Sequence, residues 1–555
     1  MSQSSHDVPQ SSRALNSAAP EVAPNDPNAR FESPSDVVKL SNLCKDCQTF
    51  LGNLSRVKAA QGLHQEYDLE NSISLGCRLC KLFPGKGYTP GRTYKRDLDP
   101  YGHDEWQILF RKSGYNLPTV IGVVREQNLS SSFHKIPAAM DSEENFVLVK
   151  QWLDTCVKIY ACSVSPTACK LPTRLLYLDP SNNQVRLIIM DTDSKIVEYL
   201  TLSHCWGSVG ASDMPKLQKH NIQQLMQQIP FNWLSKTFQD SILVTKRLGF
   251  LYLWIDALCI IQDSPDDWLR ESSTMCDVYR GSTLNIAATA SKDGHGGCFR
   301  SRAPDRQPKL LRLEFGESIF GFFDTNTWIY GVERAPLSQR GWILQERLLA
   351  PRTLHFGETQ IFWGCQELHA CETQPHGSKA LYPSKGLHYE DGIPLIKGSP
   401  SGIDFWENTV MRYSQTSLTK ESDKLPAISG IAKLFQSHTN DRYLCGLWRK
   451  DIEKQLLWYI SGDKKADTYR PHIYRAPSWS WASLDGLTTF WYCRAVKCIK
   501  FAVTDVSIVP SGLDEFQALS LDHFVCAADL CEFAKMWGWK MISYVISTPI
   551  SHRST

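Results

Sequence analysis

The stretch "LYLWIDALCII" (residues 251–261) is a near-continuous apolar run of strand length, broken only by Asp256. A strand exposed on one face alternates apolar and polar residues. An unbroken run therefore implies a strand covered on both faces, as in a parallel sheet. That requirement dictates what flanks it. Upstream, "VEYLTLSHCW" (197–206) is rich in β-branched and aromatic residues, stops at Gly207 and reads as another strand. Between the two, Thr237 and Asp240 offer a capping box for a helix through Leu248, with Gly249 at its C-terminal end. Downstream, Ser264-Pro265-Asp266-Asp267 supplies a cap, a first-turn proline and two acids at the positive dipole end of a helix. Trp268, Met275 and Tyr279 fall on one side of it, and Gly281 ends it. "TLNIAATA" (283–290) is a third strand. The order β-α-β-α-β predicts an α/β fold with a parallel, helix-flanked sheet. Ligands of such sheets sit at the carboxyl ends of the strands. Those ends carry Ser203, His204, Cys205 and Trp206 on the first strand, with Asp256, Cys259 and Asp263 near the end of the second.

The rest of the chain arranges itself around this block. At 555 residues it is too long for one ordinary core, which predicts two to four subdomains or one elaborated domain. Residues 1–37 are rich in Ser, Pro, Asn and Ala and are expected to be disordered. Residues 38–180 form an N-terminal region with two CxxC pairs, and 195–365 form the α/β block. Residues 366–400 read as a loop or linker, and 401–510, rich in Trp, Tyr and Leu, as an α+β C-terminal extension. No role is read for the tail, 511–555. The 60 basic and 58 acidic residues leave a net charge of +2 with no polybasic run, which argues against nucleic acid as a partner. No secretory signal is legible, and the longest apolar stretch, 14 residues with Asp256 inside it, is too short to span a bilayer. The 18 cysteines are then expected to be reduced, buried or metal-bound thiols, and the expected address is the cytoplasm, with the nucleus left open. Dinucleotide-binding, P-loop, kinase, HExxH and GxSxG motifs are absent, and "GHGGC" (294–298) reads as a loop.

Four features carry candidate chemistry. Cys44 and Cys47 pair with Cys77 and Cys80 as CxxC…CxxC, which can supply four thiolates to a structural zinc. The alternative is four buried thiols, since "SLGCRLC" can be helical. Ser203, His204 and Cys205 are strand neighbours whose side chains alternate faces, so they cannot form a nucleophile–base pair among themselves. They line a pocket, or His204 bonds backbone at a buried strand end. Asp256 caps the following turn, binds a ligand hydroxyl, or pairs with Arg347 or Arg352. Glu346 sits in "RGWILQERLLAPRTLHF" (340–356), on a helix apolar all round, beside Trp342 and Leu349 on the wheel. A buried carboxylate there is a structural ion-pair partner of Arg340, Arg347 or Arg352, or an acid with a raised pKa.

Several segments together resemble the fungal heterokaryon incompatibility (HET) domain. They are "YLTLSHCWG" (199–207), "FQDSILVTKRLGFLYLWIDALCIIQDSPDDW" (238–268), "MCDVYRGSTLNIAATAS" (275–291) and "SQRGWILQERLLAPRTLHFGETQIFWGC" (338–365), in the family's order. The pieces "YSQTSLTKESDKLPAISGIA", "YLCGLWRKDIEKQLLW" and "RAPSWSWASLDG", between residues 413 and 486, resemble the extension of large members. One departure is "CVKIYAC" (156–162), where Tyr160 stands near the place of a His in many relatives. The resemblance implies a protein of fungal non-self recognition that promotes programmed cell death. The alternatives it leaves are a non-enzymatic signalling or assembly module and an accessory protein of a specialised-metabolite cluster. It also implies self-association or a partner of the incompatibility or NLR type. The HET domain is in turn remotely similar to TIR domains, some of which cleave NAD with a Glu in a W-x-x-x-E setting. Trp342 and Glu346 have that spacing. What this second likeness implies is a TIR-like sheet with NAD as substrate, Glu346 as the catalytic carboxylate, and Trp342, Ser203, His204, Cys205, Trp206 and Asp256 around it.

Overall fold

The structure is a computed structural model. It describes residues 136–190, 197–207, 214–302, 326–377, 402–461 and 474–490 with short gaps, residues 43–54 and most of 71–80, and the further strands named below. The expected disordered segment 1–37, apart from Val37, and residues 378–400 of the expected linker lie outside the described residues, as does most of 511–555.

The fold is α/β, centred on a mixed eight-stranded sheet. Its strands are β1 (Arg174–Leu178), β2 (Val185–Ile189), β3 (Leu200–Ser203), β4 (Tyr252–Ile255), β5 (Leu284–Ala287), β6 (Arg352–Phe356), β7 (Ile361–Cys365) and β8 (His369–Cys371), in the order β8-β7-β6-β5-β3-β4-β1-β2. The centre, β6-β5-β3-β4, is parallel. Both edges are antiparallel, so the sheet is mixed rather than wholly parallel as expected. The reason lies in the connections. Short turns join β1 to β2 and β6 to β7, and a short turn can only join antiparallel strands, whereas parallel neighbours need a crossover. The sheet also reaches beyond 195–365 on both sides, taking β1 and β2 from before it and β8 from the stretch that reads as linker.

The crossovers are helical. α1 (Glu143–Thr155) precedes the sheet. α2 (Lys236–Arg247) links β3 to β4, α3 (Asp256–Cys259) is a single turn after β4, α4 (Pro265–Arg280) leads to β5, and α5 (Gly341–Leu349) leads to β6. Right-handed crossovers from β3 to β4 and from β4 back past β3 to β5 run in opposite directions, so they cover opposite faces. In agreement, α4 and α5 pack together, and α7 (Pro426–Thr439) packs on both.

Local chemistry corrects two boundaries. The apolar run 251–261 is not one strand: it turns helical at Asp256, whose Oδ1 accepts the Ala257 N–H at 2.7 Å. α2 is capped by Ser235, whose Oγ accepts the Phe238 N–H at 3.4 Å, rather than by the Thr237/Asp240 box. Asp240 instead accepts the N–H groups of Cys298 (2.8 Å) and Phe299 (3.3 Å), and Thr237 that of Gly297 (3.2 Å). The two tie down the Gly-rich loop that the sequence marks. Gly249 ends α2 as expected, with φ at +90°, a conformation L-residues rarely adopt.

A second sheet of seven strands runs in the order Val37–Val38, Leu310–Phe315, Ser318–Asp324, Thr119–Glu126, Asp104–Lys112, Tyr88–Arg96, Ala59–Ala60. It unites strands from the N-terminal region with a hairpin at 310–324. The C-terminal extension contributes α6 (Gly402–Tyr413), α7 and two small hairpins around fully buried Trp406, Trp448 and Trp481. Trp406 and Trp481 both donate to the carbonyl of Gly446 at 2.8 Å. A Cβ at Gly446 would lie 2.6 Å from the Trp481 Nε1, so only glycine admits this approach.

Candidate functional site

The parallel strands occur in space as β4-β3-β5-β6, so their chain order reverses between β3 and β5. In open α/β sheets such a switch point opens the crevice where ligands bind. Side chains from both strands meet there. Thr201 Oγ1 donates to Asn285 Oδ1 at 3.1 Å, and Asn285 Nδ2 donates to Ser203 Oγ at 3.0 Å. Ser203 Oγ in turn donates to Glu346 Oε2 at 2.5 Å, the length of a charge-assisted O–H···O⁻ bond. The Tyr279 hydroxyl, from α4, faces the same carboxyl and favours its ionised form.

Glu346 is only 6% exposed. None of the nearby arginines forms an ion pair with it. Arg340 donates to the backbone carbonyl of His204. Arg352 donates to Cys156 Sγ and to the Thr283 carbonyl. Arg347 lies with Thr353, His355 and His369 around a small cavity of about 50 Å³. Burial pushes the Glu346 carboxyl up to about 7; the charge of Asp256 adds to this, and the bond from Ser203 and the charge of Arg340 oppose it. A carboxyl so placed is near half-ionised at neutrality, the condition of a working acid or base. Burial likewise holds the Tyr279 hydroxyl well above the usual tyrosine range, so it stays a donor.

The opposite face of β3 holds the second half of the site. The His204 ring packs edge-on against Phe238 of α2 at 5.0 Å and stacks with Trp206 at 6.2 Å. Its Nδ1 lies 3.5 Å from Asp256 Oδ1, and its buried Nε2 has no hydrogen-bond partner. The expectation that His204 bonds backbone is therefore corrected: its neighbour is a carboxylate. Burial lowers its pKa to about 4, so the ring is neutral. Trp206 Nε1 donates to Asp256 Oδ2 at 2.9 Å, so Asp256 pairs with neither Arg347 nor Arg352. Its cap on the turn, one of the expected options, is present. Cys205 is buried with Ala287, Leu337 and Ile343, away from His204.

Trp342 does not share the carboxyl's partners. Its indole N–H donates to Asp423 at 3.2 Å and its ring meets Trp268 edge-on at 6.4 Å. Larger cavities of about 450 and 570 Å³ lie against α4 with α7 and against α5; Glu346 lines neither. The structure thus brings Ser203 to Glu346, brings His204, Trp206 and Asp256 together, and gives Cys205 and Trp342 other neighbours. Asn285, Thr201 and Tyr279 are additions. For Asn285 and Thr201 the signal is faint but present: polar residues inside strands that must be buried; Tyr279 lies on α4.

The four N-terminal cysteines converge as expected. Cys47 lies 3.4 Å from Cys80 and 3.8 Å from Cys77, and Cys44 lies 3.7 Å from Cys80, sulfur to sulfur. Thiolates around a tetrahedral zinc, about 2.3 Å from the metal, stand about 3.8 Å apart. This donor set can hold a metal.

No helix among the described residues is long and apolar enough to cross a membrane. No curated protein and no solved structure matches the chain. The family model described as Heterokaryon incompatibility protein (HET) matches residues 199–346, from the residue before β3 to Glu346 itself. Residues 199–346 therefore carry a HET domain.

Proposed function

We propose that this chain is an effector of fungal non-self recognition that promotes programmed cell death, and that its HET domain, TIR-like in design, acts by cleaving NAD. One observation carries the reading: a buried carboxyl, Glu346, held by hydroxyl donors rather than by an arginine, at the strand switch point and four residues after Trp342. Hydrolysis breaks the bond between the nicotinamide nitrogen and ribose C1′, and the bonding electrons leave with neutral nicotinamide. Because that nitrogen is already cationic, no general acid is needed. The ribose passes through an oxocarbenium-like state, which a fixed carboxylate stabilises. Water then adds at C1′ and releases a proton. Glu346 is the catalytic carboxylate, Ser203 holds it, and His204, Cys205, Trp206, Trp342 and Asp256 shape the pocket. The four N-terminal thiolates hold a structural zinc. Self-association, or an incompatibility or NLR-type partner, supplies the trigger in the cytoplasm.

A second reading has its own support. Glu346 is nearly sealed and lines neither large cavity. That suits an assembly module whose polar cluster only fixes β3 to β5 and α5. Expression of the full chain in fungal cells separates the two. Under the enzymatic reading Glu346→Gln abolishes killing at equal protein level. Killing that persists in this variant rejects NAD cleavage and supports the assembly reading.

A further inference from the structure

A second thiol cluster lies far from the four N-terminal cysteines. Cys156 ends α1 and opens a single wide turn, Cys156–Tyr160; Cys162 follows it, and Cys365 ends β7. Their sulfurs all lie within 4.8 Å of one another, and the three residues are 0%, 2% and 7% exposed. Hydrophobic packing explains one buried cysteine well, but not three sulfurs turned inward upon one another.

Two further observations concern charge. First, N–H groups surround the sulfurs. The Arg352 Nε–H donates to Cys156 Sγ at 3.1 Å, and the Leu368 N–H donates to Cys365 Sγ at 3.2 Å. Thiols are weak acceptors, whereas metal-bound thiolates are regularly held by such donors. Second, Arg352 is 2% exposed and makes no ion pair with any carboxylate among the described residues. Its Nε reaches Cys156, its Nη1 reaches the Thr283 carbonyl, and its Nη2 has no hydrogen-bond partner. A buried guanidinium without a counter-charge is costly. Elsewhere in the core the buried Arg302 is matched by Glu372.

We propose that Cys156, Cys162 and Cys365 form a three-thiolate site for a zinc ion, with Arg352 as its counter-charge. Binding displaces three thiol protons. A divalent ion and three thiolates carry one net negative charge, which neutralises the buried guanidinium. The cysteines fill three of the four tetrahedral positions. The ion would clamp the end of α1 to β7 at the sheet edge, where Trp152 already meets Trp363 at 6.0 Å and donates to the Pro375 carbonyl at 2.6 Å. The site is independent of Glu346 and of NAD chemistry.

The test is metal analysis of the purified full chain. A variant with Cys44, Cys47, Cys77 and Cys80 all changed to Ser should keep one zinc per chain; none would overturn the proposal. Cys156→Ser with Cys162→Ser should lose one equivalent relative to the parent, and an unchanged content would likewise overturn it. Should either variant fail to fold, X-ray absorption at the zinc edge of the parent chain decides. A filled four-thiolate site and a filled three-thiolate site average about three and a half sulfurs per zinc over two zinc ions. A single zinc with four sulfurs contradicts the proposal.

Discussion

Two buried glutamates, one on α5 and one just after β8, have opposite arrangements. Burial pushes both carboxyls up to about 7. Glu372, next to the antiparallel edge, is paired with Arg302, accepts the Ile361 N–H at 2.6 Å and ties β7 to the chain that follows β8. Glu346, over the parallel centre, has no such pair; a serine from β3 and a tyrosine from α4 serve it instead. The arginine favours the ionised form of Glu372 against burial and ties it in place through an ion pair. Hydroxyl donors hold a carboxyl in place and leave its proton exchangeable. The edge arrangement thus reads as structural and the central one as functional, and each can be perturbed separately.

The largest effect is expected at the edge. Arg302→Met leaves the Glu372 carboxyl buried without its cation and should cost about 3–5 kcal/mol in urea unfolding at about pH 8, where the carboxyl of the parent chain is ionised. Glu346→Gln should behave otherwise. Its folded-state pKa, about 7, lies above the ordinary 4.5, so the folded state holds this proton more tightly than the unfolded chain. The stability this contributes is full below about pH 4.5 and is lost as pH rises through about 7. Glutamine has no proton to lose. The variant should match the parent at pH 5 and exceed it by up to about 3 kcal/mol at pH 8. A loss at both pH values as large as that of Arg302→Met would make Glu346 structural and erase the contrast.

Ser203→Ala removes the donor that favours the ionised carboxyl. It should move the pH midpoint of any Glu346-dependent activity upward by about one unit while the chain stays folded. The smallest effect is expected from Trp342→Phe, which forfeits the bond to Asp423 and should cost about 1 kcal/mol. A collapse of activity with normal stability would instead place the indole against the substrate.

Much of this arrangement was legible in the sequence, and the exceptions have physical causes. The α/β class, the β3–β4–β5 order and the burial of Glu346 follow from periodicity and composition. The antiparallel edges do not, because the pairing of β1 with β2 and of β6 with β7 is set by tight turns rather than by any apolar pattern. Asp256 reads as a break in an apolar strand; the structure makes it the cap of a helical turn and the acceptor of Trp206. The choice between an arginine-paired Glu346 and an acid with a raised pKa rested on which way side chains point from three elements, which spacing along one helix cannot fix. Cys365 lies so far along the chain from Cys156 and Cys162 that no spacing rule joins them, whereas the CxxC pairs announce themselves.

The central claim is that Glu346 is a working carboxylate. Its most direct test is NAD turnover by the purified full chain, held in a self-associated state, compared with Glu346→Gln under the same conditions. The account predicts release of nicotinamide by the parent chain, rising with pH through about 7 as the carboxyl ionises, and none above background from the variant. Equal turnover by the two proteins, or none by either in the associated state, would contradict it.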